Sequence, residues 1–571
     1  MRSISLAWEN DGPPPSRFAG ATRSHACRFK ADHVFNPTCR IETTIRDESN
    51  MTLKKTDKGF TTPVSKASAQ QQTSVLEIDS GPLRGVEQGE LLSYLGIPYA
   101  APPVGNLRWM PPQAPTPWNS VLNATKVGNT CAQNAELGVF GKAGGEEDCL
   151  YLNVFVSKGA RQTNKKLPVF VWIHGGSLWV GSGCCYDASK LALAGNAVVV
   201  TFNYRLGLLG FFAHPALDRE GHAFGNYGLM DQTFVLDWVQ RNIAVFGGDP
   251  ANVTISGESS GGNSVLYHMV SPWSAGKFQH AIAMSGTALV LKFPTFGCTK
   301  PLDQGQKLGS EFAKAVGCSN QDPASLRKLP VKQILAAHGP YLINQPVIDG
   351  EFLPMHPGEA FRSGKFNRVT LINGTNLDEG TFFAGFPENE SGVPMTAAGY
   401  ADALKVFFGD LTQDVIKEYP VKDYNSPSEA FAEVCTSFLF ACPARAINRW
   451  VADKTPTYAY EFADRTAPSY LEPTTFALGA SHTYELPYIF PGFHGGAGKP
   501  VTLNPLQEQL SNKMVHYWTT AAQAGDREAE WPRYSAAQEI YLRLTLPEPR
   551  LTSEIFSKTH KCDFWDKMGI Y

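Results

Sequence analysis

Apolar runs separated by amphipathic segments characterise the chain from about Thr73 onward. Residues 229–245 place Phe234, Trp238 and Ile243 at the spacing of a helix that packs on a sheet. Strand-like runs precede and follow this segment, at 75–78, 167–173, 197–202, 253–256, 278–284, 369–372 and 458–462. Strands that alternate with helices predict an α/β fold with a large, mostly parallel central sheet covered by helices on both faces. Such sheets carry their functional residues at the carboxyl ends of the strands.

Residues 1–72 lack this periodicity and contain Pro-rich, Ser/Thr-rich and charged patches. A secretory signal needs a continuous apolar segment of about 7–15 residues, and Glu9 interrupts the first apolar residues too soon. We predict that residues 1–72 are a disordered extension or a misassigned start, with Met51 as an alternative start. Residues 73–571 are predicted to form a single domain.

Composition narrows the class of function. The 571 residues include 50 Lys and Arg against 53 Asp and Glu, a formal net charge of −3. A nucleic-acid binder would show a basic excess, so no nucleic-acid partner is expected. No apolar run approaches the ~18 residues of a membrane span, so we expect no such span.

The segment Gly257-Glu258-Ser259-Ser260-Gly261 is the single Gly-x-Ser-x-Gly match in the sequence. It follows a β-branched strand and precedes a predicted helix over residues 263–269, which is the context of a nucleophile elbow. Glycines are required on both sides of the serine because the turn leaves no room for side chains. We therefore predict that Ser259 is a catalytic nucleophile.

A second glycine-rich turn, His174-Gly175-Gly176-Ser177, follows the strand 167–173. Attack on an ester carbonyl produces an oxyanion, which needs preorganised donors. The backbone N–H groups of Gly176, Ser177 and Ser260 are the predicted donors.

Several further motifs resemble those of type-B carboxylesterases, the family that includes cholinesterases and some fungal lipases. The chain looks most like the fungal members. The motifs are 96–105, followed by Leu107-Arg108-Trp109, then 147–154, 246–250 and 561–565. This resemblance covers about residues 73–571. It implies the α/β-hydrolase fold and a serine carboxylic-ester hydrolase that needs no cofactor.

A nucleophilic serine needs a histidine base and a carboxylate, in the chain order Ser, acid, His. The 13 histidines leave the base undecided on chemistry alone. The resemblance points to His482 and to Glu379, with Asp378 as the rival acid.

Two more acidic residues adjoin this predicted triad. Glu258 precedes the nucleophile, and Glu485 lies three residues after His482. Each is predicted either to stabilise the imidazolium or to order water. The spacing of His482 and Glu485 also suits a metal pair, but no third ligand cluster accompanies it, so no metal site is expected.

The sequence contains 11 cysteines. The resemblance implies bridges between Cys131 and Cys149 and between Cys442 and Cys562. It also suggests a third bridge to Cys318, for which Cys298 is the candidate partner. The remaining cysteines are expected to be buried free thiols: Cys27, Cys39, Cys184, Cys185 and Cys435.

Disulfide bridges indicate an oxidising route. A secreted glycoprotein is therefore expected, with a cytoplasmic protein as the alternative because no signal peptide is recognisable. Glycosylation sequons occur at Asn50, Asn123, Asn252, Asn373 and Asn389.

The loop 132–148 bears on the substrate. In cholinesterase-like relatives this loop carries a Trp that binds the choline cation, whereas here Phe140 is its only aromatic residue. A choline ester is therefore disfavoured, and the short loop favours small or medium esters. An acyltransferase that uses the same acyl-enzyme and a lipase for long-chain esters are the alternatives. A non-catalytic binding protein is not expected, and the oligomeric state is left open.

Overall fold

Apolar and β-branched runs form the strands of a large, mostly parallel sheet. The computed structural model describes residues 71–162, 165–286, 299–337, 345–520, 530–569 and 571, so the predicted extension lies outside the described residues apart from Gln71 and Gln72. These two residues pair with a strand of the sheet. The strands are β1 (Gln71–Gln72), β2 (Leu76–Ile78), β3 (Gly81–Arg84), β4 (Val86–Gln88), β5 (Leu91–Pro98), β6 (Leu122–Asn123), β7 (Tyr151–Ser157), β8 (Leu167–Ile173), β9 (Val198–Phe202), β10 (Gly248–Glu258), β11 (His280–Met284), β12 (Lys300–Pro301), β13 (Val347–Ile348), β14 (Thr370–Asn376), β15 (Thr457–Phe462), β16 (Tyr541–Leu544) and β17 (Arg550–Thr552).

The twelve strands of the main sheet follow the order β1-β4-β5-β7-β9-β8-β10-β11-β14-β15-β16-β17. From β9 to β16 in this order all neighbours are parallel, and antiparallel pairs border them on both sides. The predicted strand at 75–78 instead lies in a small sheet of β2, β3 and β6. The predicted parallel core is confirmed.

The helices link these strands and cover them. They are α1 (Ser189–Leu193), α2 (Gly207–Gly210), α3 (Pro215–Asp218), α4 (Tyr227–Asn242), α5 (Ser260–Val270), α6 (Leu302–Ala315), α7 (Pro323–Arg327), α8 (Val331–Ala336), α9 (Pro357–Ser363), α10 (Gly380–Ser391), α11 (Ala397–Phe408), α12 (Thr412–Glu418), α13 (Pro427–Cys435), α14 (Cys442–Val451), α15 (Leu486–Ile489), α16 (Pro505–Thr519), α17 (Ile555–Thr559) and α18 (Cys562–Met568).

Alternate residues of β8 are buried in different apolar clusters. Val169, Val171 and Ile173 pack with residues of α4 and α5, whereas Phe170 and Trp172 pack with residues of α1 and α16. Because successive side chains of a strand point to opposite faces, both faces of the sheet are covered by helices. This is the layered α/β arrangement that the apolar pattern predicts.

A long helical segment, Pro427–Val451, contains α13, a π-helical turn at Thr436–Ala441 and α14. Within the described residues it is the one segment long and apolar enough to cross a membrane. Of its most apolar window, 94% is buried inside the fold, as in the core helix of a globular protein.

The structure contains the two bridges expected from the resemblance, Cys131–Cys149 and Cys442–Cys562. The suggested bridge between Cys298 and Cys318 is wrong, because Cys318 carries a free thiol that is buried in the cluster containing Val169. Its sulfur fills space among apolar side chains, as a small hydrophobic group does. Cys298 itself lies outside the described residues.

The expectation of buried free thiols holds for only part of the other cysteines. Cys435 is free and buried, but Cys184 is free and exposed, and Cys185 is free and half-buried. Cys27 and Cys39 lie outside the described residues.

Candidate active site

The predicted site residues follow neighbouring strands at their carboxyl ends. Ser259 follows β10, and the turn 174–177 follows β8, which pairs with β10 so that Gly257 lies opposite Ile173. Glu379 follows β14, and His482 lies in the loop after β15. Since β8, β10, β11, β14 and β15 are consecutive in the sheet, these residues gather at one edge.

Ser259 stands at a strained turn between β10 and α5. Its backbone has φ 56° and ψ −122°, a conformation that non-glycine residues rarely adopt. A Cβ on Gly261 would lie 2.1 Å from the carbonyl oxygen of Ile173, and a Cβ on Gly257 would lie 2.5 Å from the Gly261 carbonyl carbon. The two glycines therefore allow the backbones to approach closely enough for the sharp turn.

His482 and Glu379 form a buried pair. Nδ1 of His482 lies 2.5 Å from Oε2 of Glu379. The other carboxylate oxygen, Oε1, accepts hydrogen bonds from the Ser285 hydroxyl at 2.5 Å and from the Asn376 N–H at 2.7 Å. Three donors around this carboxyl group fix its position and orientation. The carboxylate in turn holds the proton of the imidazole on Nδ1 and leaves Nε2 able to accept one.

Asp378, the rival acid, has another partner. Its carboxylate forms an ion pair with Arg465 at 2.6 Å and accepts a hydrogen bond from the Ala480 N–H at 2.9 Å. The backbones of Asp378 and Ser481 also form a bridge. Asp378 thus fastens the loop that carries His482, while Glu379 is the residue that contacts the imidazole.

Two further buried carboxyl groups adjoin this pair. Oε1 of Glu258 lies 3.2 Å from Nε2 of His482. Burial, and secondarily the charge of Glu379, raises the pKa of Glu258 well above its ordinary value. Burial likewise raises the pKa of Glu485 well above its ordinary value, with the nearby charges of Glu258 and Glu379 adding to the effect. Burial therefore disfavours the ionised form of both Glu258 and Glu485 beside the Glu379–His482 pair.

The backbone of the 174–177 turn is shaped by close contacts. Gly176 has φ +105°, and a Cβ there would lie 2.3 Å from the Val180 carbonyl oxygen. Ser177 has φ 56°, and the next N–H, that of Leu178, donates to the Ser260 hydroxyl at 3.1 Å. Ser260 is the first residue of α5, so its own N–H has no acceptor within the helix.

His174, in the same turn, is not equipped to be a base. Its ring is buried, stacks on Tyr204 at 4.3 Å and lies with Nδ1 2.9 Å from the Gly175 carbonyl oxygen. Burial lowers its pKa to about 4. A ring that is neutral and held in this way serves to fix the turn.

Ser259 and His482 line one cavity. Its wall is mainly apolar and includes Phe140, Phe382, Phe383 and the turn residues Gly175, Gly176 and Ser177. Three phenylalanine rings surround the imidazole, with centroid distances of 5.7 Å for Phe382, 5.3 Å for Phe383 and 5.0 Å for Phe440.

Sequence reasoning missed Ser285, Asn376 and these phenylalanines. Ser285 directly follows β11, which lies beside the nucleophile strand, so its place at a strand end was an available signal. Phe440 lies in the π-helical turn, which no local pattern announces. Within the described ranges, no group of three or more His, Cys, Asp or Glu residues is arranged to hold a metal ion.

Comparisons with known proteins identify the family of the chain. The model of the carboxylesterase family matches residues 72–565. The chain is 35% identical over 516 residues to the acylcarnitine hydrolase of Mus musculus, covering 83% of this chain and 86% of that protein. It is 34% identical over 520 residues to the cocaine esterase of Homo sapiens, covering 85% and 88% respectively. Among solved structures, a thermophilic PNB esterase is similar, with TM-score 0.72 and 31% identity over 86% of this chain and 99% of that one.

Proposed function

The chain belongs to the carboxylesterase family and is a serine carboxylic-ester hydrolase, and we propose that Ser259, His482 and Glu379 are its catalytic triad. The observation that carries this proposal is the position of His482. One ring nitrogen lies 2.5 Å from the Glu379 carboxylate, and the ring lines the same cavity as Ser259 at the elbow. This arrangement joins a nucleophile, a base and an orienting acid.

The reaction begins when Oγ of Ser259 attacks the ester carbonyl and Nε2 of His482 takes its proton. Glu379 keeps the imidazole oriented and stabilises the imidazolium that forms. The imidazolium then returns the proton to the departing alcohol, leaving an acyl-enzyme. Water, deprotonated by His482, attacks the acyl group and releases the acid and the free serine.

The N–H groups of Gly176, Ser177 and Ser260 stabilise the oxyanion of both tetrahedral intermediates. Support comes from the left-handed backbone at Gly176 and Ser177 and from the helix N-terminus at Ser260. Fixed backbone dipoles need no reorganisation during the reaction, and losing one such donor costs roughly 2.7–4 kcal/mol of barrier.

Glu258 acts on the charge of the imidazolium. Burial and the charge of Glu379 raise its pKa and disfavour its ionised form, and its Oε1 lies 3.2 Å from Nε2 of His482. A neutral carboxyl group there avoids drawing a proton onto Nε2 before the substrate binds. Glu485 does not contact the imidazole directly. Its carboxyl group accepts a hydrogen bond from the side chain of Asn376 at 2.5 Å, and the backbone N–H of Asn376 donates to Glu379.

The substrate is a neutral ester of small or medium size. The cavity wall is formed by apolar and aromatic side chains such as Phe140, Phe382 and Leu486, which favour uncharged groups. Phe140 lies in the loop that the Cys131–Cys149 bridge closes. The two cysteines are only 18 residues apart in sequence, so this loop is too short to form a large lid. The names of the relatives, acylcarnitine hydrolase and cocaine esterase, also support an ester substrate.

The protein folds in an oxidising compartment and is secreted or lumenal. The two disulfides support this location. Among the predicted glycosylation sites, Asn123 and Asn389 are exposed. Asn373 is excluded as a site in the folded protein because it is buried in β14 and its amide donates to Asn448 at 2.9 Å.

The experiment that tests the proposed function is hydrolysis of p-nitrophenyl esters from acetate to palmitate by the wild type and by Ser259→Ala. We expect activity on short and medium chains that is lost in the variant. Ser256→Ala is the matched control. It removes a buried serine hydroxyl from β10, the strand that leads to Ser259, and this hydroxyl contacts the Met284 sulfur rather than the substrate cavity. Equal activity of Ser259→Ala and the wild type would exclude the proposed nucleophile, and a preference for palmitate would exclude the proposed ester size.

A further inference from the structure

Two adjacent cysteines lie at the wall of the active-site cavity and have no part in the proposed mechanism. Cys184 and Cys185 end a short 3-10 helix, Gly183–Cys185, and both are free thiols. Cys184 is exposed to solvent, whereas Cys185 lines the same cavity as Ser259. A reagent in solvent can therefore reach Cys184, and a group bound to both cysteines would lie at the wall of the ester cavity.

The two thiols are adjacent in sequence, and each shifts the pKa of the other. The Cys185 thiol donates a hydrogen bond to the sulfur of Cys184, and the Ser182 hydroxyl lies 3.0 Å from the same sulfur. These contacts lower the pKa of the Cys184 thiol to about 6, although burial opposes the shift. The same hydrogen bond, together with burial, raises the pKa of Cys185.

The surroundings of Cys185 restrict where a substituent can go. A Cβ on Gly496 would lie 2.9 Å from the Cys185 sulfur, so the loop already packs against it. The neighbouring Gly495 lines the cavity together with Phe140. A bulky group on this sulfur must therefore enter the cavity or displace the 495–496 loop, and either change alters access to Ser259.

We propose that Cys184 and Cys185 form a dithiol site for trivalent arsenicals and that occupation of this site closes the ester cavity. With phenylarsine oxide the two S–H bonds break, two As–S bonds form, and the oxygen leaves as water with both protons. The arsenic stays trivalent, so no oxidant or reductant is needed. The second As–S bond forms within the molecule, which strengthens binding by about 10²–10⁴-fold over a single thiol.

The test uses the full chain, without reductant, and measures phenylarsine oxide binding by intact mass and inhibition by p-nitrophenyl butyrate hydrolysis. We expect one dithiol adduct on the wild type, loss of activity, and recovery with 2,3-dimercaptopropanol but not with a monothiol. Cys184→Ser and Cys185→Ser should each weaken inhibition by about 100-fold or more, measured against each variant's own untreated activity. Cys318→Ala, which removes a single buried thiol, should respond as the wild type does.

Each contrary result has a definite meaning. Equal inhibition of the wild type and both serine variants would refute the proposal that the arsenical binds at Cys184 and Cys185. An adduct at this pair that leaves hydrolysis unchanged would refute the proposal that binding closes the cavity. The inhibition rests on the proposed catalytic site, but binding does not. Ser259→Ala should therefore still form the adduct, which separates failure of this inference from failure of the proposed function.

Discussion

Replacing Glu379 by Gln tests the proposed triad at its most buried member. The carboxylate is fully buried and accepts hydrogen bonds from His482, Ser285 and Asn376. A glutamine keeps the size and one acceptor oxygen, but it loses the charge and presents an NH₂ group. If that NH₂ group faces Nδ1, the imidazole must carry its proton on Nε2, and the base is then blocked.

The expected magnitude follows from this change of tautomer. A neutral isostere of the triad acid lowers kcat by about 10⁴-fold in a serine protease, so we expect a loss of about 10³–10⁴-fold here. This corresponds to about 4–5.5 kcal/mol of barrier. The free energy of unfolding should fall by only about 1–3 kcal/mol, because the remaining oxygen still accepts from its other donors.

The assay is kcat/KM for p-nitrophenyl butyrate at neutral pH, with thermal unfolding to verify that the variant is folded. Two controls replace a nearby carboxyl group by an amide in the same way: Asp378→Asn, which breaks the pair with Arg465, and Glu485→Gln, whose native carboxyl group has a pKa raised by burial. Each should lose less than about tenfold. A folded Glu379→Gln enzyme within tenfold of the wild type, or a larger loss in Asp378→Asn, would refute the assignment of the acid.

Three further predictions concern stability. Gly261→Ala should reduce the free energy of unfolding by about 3 kcal/mol, since its Cβ would lie 2.1 Å from a strand carbonyl oxygen; unchanged urea unfolding would contradict the close packing of the elbow. Cys562→Ser opens a bridge of sequence separation 120 and should cost about 2–5 kcal/mol in urea unfolding without reductant, whereas a loss under 1 kcal/mol would indicate that the unfolded chain gains little freedom. Burial lowers the pKa of His560, but its contact with Glu461 at 2.9 Å and the nearby negative charges outweigh burial and raise it overall. The charged pair of His560 and Glu461 therefore stabilises the fold fully below the unfolded pKa of about 6.5, and this contribution is lost as pH rises through the higher folded pKa. His560→Gln should lower the free energy of unfolding more at pH 6 than at pH 9. An equal decrease at both pH values would exclude the charged pair.

The sequence by itself determined the features that depend on short-range backbone geometry. A β-branched strand followed by Gly257-x-Ser259-x-Gly261 specifies the elbow, because glycine is needed where Cβ atoms would meet neighbouring carbonyl groups. Alternating apolar runs likewise specified the strands of the parallel core, and β8 begins and ends at the predicted residues. The helix after the elbow was also predicted, although it begins at Ser260 rather than at residue 263.

Tertiary structure decided which groups meet across long sequence separations. Asp378 and Glu379 are adjacent in sequence, and only the packing of the 480–482 loop distinguishes them. Glu379 contacts the His482 imidazole, whereas Asp378 accepts a hydrogen bond from the Ala480 N–H. Ser285 contacts Glu379 because β11 lies between β10 and β14 in the sheet. Such contacts depend on strand order, register and loop packing, which are set by burial of the whole chain rather than by neighbouring residues. The same global packing left Cys318 as an unpaired thiol and placed Cys185 at the cavity, where no motif had indicated a role.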